Sequence, residues 1–471
     1  MTIAATAHII VGETLVEALD EVRPNLNLNP ATNYFYLKDL GEKETPEGYI
    51  DLAAELEKAE ITNPATTSEI RARSPLCYIF TSGTTGKPKA AIIEHARWIG
   101  AKVGFGAQLQ LTPEDKIYIP LPFSHSTALL VAWGPAIHGG AATVMRRKFS
   151  VSGFWPDVKK YNVTAFAYIG ELCRYLINQP PQPDDGDNSV EKIIGNGLRP
   201  DIWMEFKQRF DISQIAEFYA SSEGNAGFGN MLNLDCTIGM GAMSQKVVKY
   251  DIEADELIKN KKGFLQKVKK GEAGLLIGEI TDDNRFVGYT SNEATQSKIL
   301  RNVFKKDDAW FNTGDLVKNI GFAHYQFVDR VGDTFRWKSE NVSTTEVEEI
   351  ITTMDQVKEC TVYGVEIPGT VGRAGMASII TKDDVGDFDF QDFIAYMRKH
   401  LPAYAVPVFL RFQEEFEVTP TMKRIKSRLK QGGYNPQEVN DPLYVMLPGE
   451  DAYQHLTEEI YKNTLAEKYR F

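Results

Sequence analysis

Residues 78–91 read YIFTSGTTGKPKAA, and this stretch combines the end of an apolar run with a polar segment rich in glycine, hydroxyl and lysine residues. The apolar residues 78–80 predict the end of a buried strand. In the polar part that follows, glycines let the backbone curl with its N–H groups pointing inward, while hydroxyl and lysine side chains add donors and positive charge. The stretch therefore predicts a cradle for a polyphosphate, with an ordinary polar loop between two strands as the alternative.

The candidate phosphate-binding residues offer a donor side chain or a glycine backbone, and they are Thr81, Ser82, Gly83, Thr84, Thr85, Gly86, Lys87 and Lys89. A Walker A loop has four residues between its glycines and a Ser or Thr after its lysine. Here two residues separate the glycines, and Pro88 follows Lys87. The spacing excludes a Walker A site, so the rest of the chain must decide the type of reaction.

Length, charge and cysteine content limit the possible functions. The 471 residues predict two or three domains, and the net charge of −12 argues against a nucleic-acid partner, which is bound through lysine and arginine. Four widely spaced cysteines predict free thiols in a reducing compartment. Residues 117–145 contain no Asp, Glu, Lys or Arg, but prolines and glycines interrupt them, so we expect a strand, a helix and a second strand there. We predict a cytoplasmic protein, with peripheral association with a membrane and the oligomeric state left open.

Strand and helix patterns alternate from about residue 76 to 325, and the pattern changes near residues 328–333. The predicted buried strands are 76–80, 90–93, 116–119, 142–144, 165–168, 192–196, 215–219 and 274–280. The helices predicted between them include 155–160, 171–178 and 200–210. Alternation of this kind predicts a sheet with crossover helices. We therefore expect a large α/β domain at residues 1–330 and a small, mobile α+β domain at residues 331–471.

Two motifs place polar residues at the ends of predicted strands, and a third places one after an aromatic run and a glycine. GNGLRP, at 195–200, contains Gly195, Asn196 and Gly197; it fits either a slot for a flat base or the start of a helix. In EFYASSEGN, at 217–225, Glu223 fits either a magnesium ligand or a helix N-terminal carboxylate. Asp315, at the end of WFNTGD, fits either a ligand for ribose hydroxyls or a turn aspartate.

Two later motifs lie at and beyond the predicted domain junction. DRVGDTFRWKSEN, at 329–341, contains Gly332, and a glycine at a junction can absorb large backbone rotations. TPTMK, at 419–423, ends in Lys423, for which an ordinary solvated lysine is the alternative.

Taken in order, these motifs resemble those of the adenylate-forming superfamily, and most of all the fatty acid transport protein/very-long-chain acyl-CoA synthetase family. The resemblance is carried by residues 78–91, GNGLRPDIW at 195–203, EFYASSEGN at 217–225, DRVGDTFRWKSENVSTTEVE at 329–348, LPAYAVPVFLR at 401–411 and TPTMK at 419–423. It implies the adenylate-forming enzyme fold and a ligase that uses ATP, Mg²⁺ and CoA to activate a long-chain or very-long-chain fatty acid. The carboxylate attacks the α-phosphate of ATP to give acyl-AMP and diphosphate, and CoA then displaces AMP.

The resemblance also implies a role for each candidate residue. The stretch from Thr81 to Lys89 would hold the β- and γ-phosphates. The turn at 195–198 and Tyr219 would flank the adenine, and Asp315 with Arg330 would bind the ribose hydroxyls.

For the reacting groups, the resemblance implies that Ser222 contacts the α-phosphate and that Glu223 binds the magnesium ion. Lys423 would bridge the acyl carboxylate and the α-phosphate. His125 would lie at the wall of the acyl pocket, and Gly332 would act as the hinge of the small domain.

The chain departs from the family pattern at two places that bear on activity. Ser339 replaces the usual glycine in a segment expected to line the CoA tunnel, which puts the thioester step in question. Only 80 residues precede Thr81, so we expect a large domain that is short at its N-terminus relative to the family. The alternatives to a CoA ligase are therefore a non-catalytic nucleotide-binding homologue, or an adenylating enzyme that passes its acyl group to a carrier thiol.

Overall fold

The computed structural model describes residues 6–41, 43–81, 89–221, 225–241, 244–251, 256–338, 340–419 and 424–471. The chain folds into two compact units, Met1–Arg97 with Gly288–Thr295 and Trp98–Val287 with Gln296–Phe471. Within the described ranges, no helix has both the length and the apolar character that crossing a membrane requires.

The first unit contains a three-stranded parallel sheet with its own small core. Its elements before residue 75 are β1 (Ile9–Gly12), α1 (Val16–Val22), α2 (Pro30–Asn33), β2 (Tyr34–Leu37), β3 (Ile50–Asp51) and α3 (Leu52–Leu56). β1 pairs with β2 and β2 with β3, and Val11, Leu19 and Tyr36 are buried together. The Asn29 side chain accepts a hydrogen bond from the Ala31 N–H at 3.0 Å, which caps the start of α2.

The first unit also contains a hairpin of β4 (Pro75–Thr81) and β5 (Lys89–Glu94), which pair antiparallel with Thr81 opposite Lys89. The prediction that residues 78–80 form a buried strand end is wrong for two of the three. Ile79 is buried, but Tyr78 and Phe80 are 42% and 46% exposed. Side chains alternate between the faces of a strand, and only one face of this hairpin is covered.

The second unit is built on a twelve-stranded sheet. Its first elements are α4 (His95–Leu109), β6 (Lys116–Ile119), a π-helical turn (Thr127–Ala132), α5 (Trp133–Gly139), β7 (Ala142–Met145), α6 (Val151–Tyr161), β8 (Ala165–Ile169), α7 (Gly170–Ile177), β9 (Lys192–Asn196), α8 (Pro200–Arg209) and β10 (Gln214–Ala220). The following elements are β11 (Gly227–Gly229), β12 (Gly239–Gly241), β13 (Gln245–Val248), β14 (Tyr250–Asp251), β15 (Glu256–Leu257), β16 (Ala273–Glu279), β17 (Ile299–Arg301), β18 (Ala309–Gly321) and β19 (His324–Arg330). The helix before β17, α9 (Asn292–Gln296), belongs to the first unit except for its last residue. The strands of the large sheet follow the order β13-β16-β18-β19-β12-β11-β10-β9-β8-β6-β7, with β17 beside β18.

The large sheet changes character at β10. The strands β7, β6, β8, β9 and β10 pair parallel, whereas β10 pairs antiparallel with β11. All five residues of β8 are buried, as expected for a strand with helices on both faces. The prediction of a buried strand at 142–144 is wrong in its burial: β7 forms at the sheet edge, and Ala142 and Met145 are exposed.

Residues 335–471, called here the C-terminal domain, form a separate layer of sheet and helices. Its elements are β20 (Phe335–Trp337), β21 (Glu340–Val342), α10 (Thr344–Thr352), β22 (Val357–Val365), β23 (Ala374–Thr381), α11 (Phe390–His400), β24 (Phe409–Phe412), α12 (Lys426–Gly432), β25 (Leu443–Val445), β26 (Gln454–His455) and α13 (Glu458–Leu465). Five strands pair in the order β22-β23-β24-β25-β26 around a core that includes Tyr363 and Phe393. The predicted combination of a large α/β domain and a small α+β domain is confirmed.

Candidate functional site

A turn at the end of β9 is held by a buried carboxylate from β10. Glu217 lies opposite Gly195 in the pairing of these strands. The Gly197 N–H donates to Glu217 Oε1 at 2.6 Å, and the Tyr168 hydroxyl donates to Glu217 Oε2. Gly197 has a φ of +85°, a backbone conformation that favours glycine. The Glu217 side chain, to which the sequence motifs assign no role, therefore holds the turn that is predicted to flank the adenine.

Glu217 is an unusual carboxyl group because it is almost completely buried. Burial raises its pKa to about 8, and the hydrogen bonds from Tyr168, Gly197 and Leu198 offset this rise only in part. The group is therefore mostly protonated at neutral pH. The signal available in the sequence was a single acidic residue within an otherwise apolar strand.

The backbone approaches itself closely at this turn. A Cβ atom at Gly170, the first residue of α7, would collide with the carbonyl oxygen of Gly197. A Cβ atom at Gly195 would collide with the Tyr168 carbonyl oxygen. The two glycines at these contacts are therefore required by packing, and the turn presents backbone rather than side chain on these sides.

The side chains of three predicted nucleotide residues, from β10, β18 and β19 of the large sheet, lie close together. The Tyr219 hydroxyl donates to Asp315 Oδ2 at 2.6 Å, and Arg330 Nε lies 3.4 Å from Asp315 Oδ1. Asp315 and Arg330 are directly opposite in the pairing of β18 with β19. Asp315 is buried, whereas the Arg330 side chain is 57% exposed. Asp315 lies within a strand, immediately after Gly314, whose φ is +77°.

β10 connects the turn to this cluster, because Glu217 and Tyr219 are two residues apart on the same strand. Burial, and then the nearby Asp315, raise the pKa of Tyr219 well above its usual value, so its hydroxyl keeps its proton. A protonated tyrosine, a carboxylate and an exposed guanidinium together form a group that can exchange hydrogen bonds with neighbouring hydroxyls of a ligand.

Several predicted residues lie outside the described ranges: Ser82, Gly83, Thr84, Thr85, Gly86, Lys87, Ser222, Glu223, Ser339 and Lys423. The described ends of the phosphate stretch are Thr81 and Lys89, which are opposite each other in the hairpin of the first unit. The Lys89 ammonium group lies 5.5 Å from the centre of the Tyr289 ring. The roles of all these residues stay predictions.

The predicted pocket and hinge residues occupy other parts of the second unit. His125 is half-buried just before the π-helical turn, where its Nδ1 accepts a hydrogen bond from the Thr127 N–H at 3.2 Å. Gly332 has a φ of +90°, and Lys430 donates to its carbonyl oxygen at 3.0 Å and to Asp333 at 2.9 Å. The acyl-pocket and hinge roles stay predictions.

Comparison with known proteins places this arrangement in a family. Residues 4–265 match the AMP-binding enzyme family and residues 346–423 match the AMP-binding enzyme C-terminal domain. The chain is 44% identical to the medium/long-chain-fatty-acid–CoA ligase FadD6 of Mycobacterium tuberculosis, over 84% of this chain and 66% of that protein. It is 42% identical to long-chain fatty acid transport protein 2 of Rattus norvegicus, over 98% of this chain and 74% of that protein. The chain thus spans about two thirds to three quarters of the length of these relatives.

Solved structures share the fold at lower sequence identity. The anthranilate CoA ligase AuaEII, in complex with anthranoyl-AMP, has a TM-score of 0.73 at 17% identity, covering 91% of this chain and 79% of that one. ATP-bound MatB from Rhodopseudomonas palustris has a TM-score of 0.71 at 19% identity, with the same coverage. The chain has the fold of the adenylate-forming acid–thiol ligases, and it belongs to the fatty acid transport protein/very-long-chain acyl-CoA synthetase family of AMP-binding enzymes.

Proposed function

We propose that this chain joins a long-chain or very-long-chain fatty acid to CoA through an acyl-AMP intermediate. ATP and the fatty acid give acyl-AMP and diphosphate, and CoA then gives acyl-CoA and AMP. The observation that carries the proposal is the cluster of Tyr219, Asp315 and Arg330. Tyr219 lies on β10, the strand that pairs with β9 and so lies beside the backbone turn at residues 195–198. The relatives named as a fatty-acid–CoA ligase and a fatty acid transport protein support the choice of acid.

The described residues would bind and orient the nucleotide. The turn at 195–198, held by Glu217, would present a flat backbone surface to one face of the adenine, and Tyr219 would border the base. Asp315, paired with Arg330, would accept hydrogen bonds from the ribose hydroxyls. A carboxylate is a weak nucleophile, so placing the α-phosphate accurately lowers the barrier more than a general base would.

The remaining roles fall on residues outside the described ranges. The phosphate stretch and Ser222 would bind the phosphates, and Lys423 would neutralise charge between the carboxylate and the α-phosphate. Within the described residues, no group of three or more His, Cys, Asp or Glu side chains could hold a metal ion. A single carboxylate, Glu223, suits Mg²⁺, which takes one or two carboxylates and completes its shell with phosphate oxygens and water. The ion would reduce the negative charge of the phosphates.

ATP–diphosphate exchange with palmitate tests the adenylation step, and acyl-CoA formation tests the second step. We expect both activities from the full chain. Absence of exchange in the folded protein would contradict the proposed function and favour a nucleotide-binding homologue without turnover. Exchange without acyl-CoA would indicate that Ser339 blocks the CoA step or that another thiol accepts the acyl group.

We also propose a cytoplasmic location with peripheral association with a membrane, where long-chain acids are available. The four cysteines are free in the structure, which supports a reducing compartment. Sedimentation with phospholipid vesicles, with and without palmitate, measures the membrane part of the proposal. A protein that never sediments with the vesicles would contradict that part.

Replacing Asp315 with alanine is expected to raise the KM for ATP about tenfold, because a hydrogen bond to a charged group contributes about 1.5–3 kcal/mol. Asp315→Asn is the matched control: it keeps an acceptor oxygen and should show a smaller rise. Steady-state exchange at varied ATP concentration measures both values. An unchanged KM in the alanine variant would contradict the ribose role.

A further inference from the structure

A set of charged contacts joins the C-terminal domain to α7 and α8, the helices beside the turn at residues 195–198. Arg199, which directly follows this turn, donates to Glu348 Oε2 at 2.6 Å. Glu348 lies on α10 and is buried with only 3% of its side chain exposed. The contact links residues 149 positions apart, at the start of α8 and within the C-terminal domain.

Glu348 has further partners within its own domain. Its Oε1 accepts hydrogen bonds from Lys426 Nζ at 2.8 Å, from the Val362 N–H at 2.9 Å and from Thr361 Oγ1 at 3.1 Å. Burial alone would raise the pKa of Glu348, but Lys426 and Arg199 outweigh it and hold the pKa below its usual value. The carboxylate is therefore ionised, and it stays compensated if Arg199 is removed.

In a second contact the positive charge comes from the C-terminal domain and the negative charge from α7. Arg424 of the C-terminal domain donates to Glu171 Oε2, on α7, at 3.2 Å. Arg424 also donates to Glu359 Oε2 at 3.3 Å and to the Cys360 carbonyl oxygen, both within its own domain. At the other end of α7, Asn178 Nδ2 donates to the Lys358 carbonyl oxygen at 3.1 Å. Helix α7 therefore contacts the C-terminal domain at both of its ends, through Arg424 at one end and through β22 at the other.

Both contacts begin next to groups assigned to adenylation. Glu171 directly follows Gly170, which packs on the Gly197 carbonyl, and Arg199 is two residues beyond Gly197. Arg424 directly follows Lys423 in the chain. Building on the proposed function, we propose that Arg199 and Glu171 are positioning residues that hold the C-terminal domain in the orientation that serves adenylation. The thioester step does not require these contacts.

The structure offers variants that separate this role from folding. Arg199→Gln leaves Glu348 with Lys426, and Glu171→Ala leaves Arg424 with Glu359, so each domain keeps its internal pairs. Matched controls lie on α8: Lys207→Gln breaks an ion pair with Asp235 outside the C-terminal domain, and Glu205→Ala removes an exposed carboxylate.

The test measures the two half-reactions separately. Arg199→Gln and Glu171→Ala are each expected to lower ATP–diphosphate exchange about tenfold, while conversion of supplied palmitoyl-AMP and CoA to palmitoyl-CoA stays within about twofold of the parent. Arg199→Lys should restore part of the exchange, since it keeps the charge. Exchange equal to that of the controls, or an equal loss in both half-reactions, would overturn the inference.

A second measurement does not depend on turnover. Trypsin cleavage near the predicted hinge, at Arg330 and Lys338, should be faster in the Arg199→Gln, Glu171→Ala double variant than in the controls. An unchanged cleavage rate would overturn the inference. A parent chain without exchange whose double variant is cleaved faster would contradict the proposed function while leaving the contacts between the domains supported.

Discussion

Replacing Lys423 with alanine is expected to lower ATP–diphosphate exchange by about two to three orders of magnitude, the usual cost of removing one group that stabilises developing charge. The attack of a carboxylate on the α-phosphate brings two anions together, and a lysine that bridges them reduces this repulsion. Thioester formation from supplied acyl-AMP should change little, because that step no longer involves the fatty-acid carboxylate. Exchange and thioester assays on one preparation give both values.

The matched control for Lys423 is Lys462→Ala. The Lys462 ammonium group lies in an exposed ion pair with Glu458 on α13, at 3.1 Å. Removing it should change neither half-reaction, because exposed ion pairs contribute little. The role assigned to Lys423 is wrong if its alanine variant adenylates as fast as the parent.

Replacing Glu217 with alanine is expected to lower the free energy of unfolding by about 3 kcal/mol. The change leaves two buried donors, the Gly197 N–H and the Tyr168 hydroxyl, without their acceptor. It also opens a cavity beside the turn at residues 195–198. Glu217→Gln keeps an acceptor oxygen and the side-chain volume, so it should cost less than about 1 kcal/mol. Urea unfolding at about pH 4.5, where the contribution of Glu217 to stability is fully present, measures the difference.

The pH dependence of stability gives an independent check on Glu217. Its folded pKa of about 8 lies above the usual value of 4.5, so between these values the folded protein keeps a proton that the unfolded chain has lost. Its contribution to stability is therefore fully present below about pH 4.5 and is lost as pH rises toward 8. The parent should lose stability relative to the Gln variant across this interval. Parallel stability curves for the two proteins would contradict the assignment.

The sequence predicted local elements better than contacts between distant residues. The strands 116–119 and 192–196 were predicted with the bounds that β6 and β9 have, because short apolar runs between turn residues define a buried strand. Burial was harder to predict. Tyr78 and Phe80 are exposed because the elements that pack against a strand determine which of its faces is buried. The identity of those packing elements cannot be read from the sequence of the strand itself.

In the candidate site, too, single residues were easier to predict from the sequence than the contacts between them. The glycines at 195 and 197 and Asp315 follow from motifs in the sequence, and Arg330 follows from a family resemblance. Asp315 and Arg330 face each other because of the register in which β18 pairs with β19. That register cannot be read from the sequence of the two strands. Glu217 was missed because an acidic residue in an apolar strand indicates neither its partners nor its protonation state. The pairs Arg199–Glu348 and Glu171–Arg424 join positions too far apart in the chain for any spacing rule to find.

The close contact between Gly170 and Gly197 also limits how the protein can be re-engineered. A side chain at Gly170 would collide with the Gly197 carbonyl oxygen, and a side chain at Gly197 would be strained by the φ of +85° at that residue. If the base is read by this backbone, exchanging ATP for another nucleotide by point mutation will fail at the turn. Libraries aimed at a different acid should instead vary the region around His125, the predicted wall of the acyl pocket, and keep both glycines fixed.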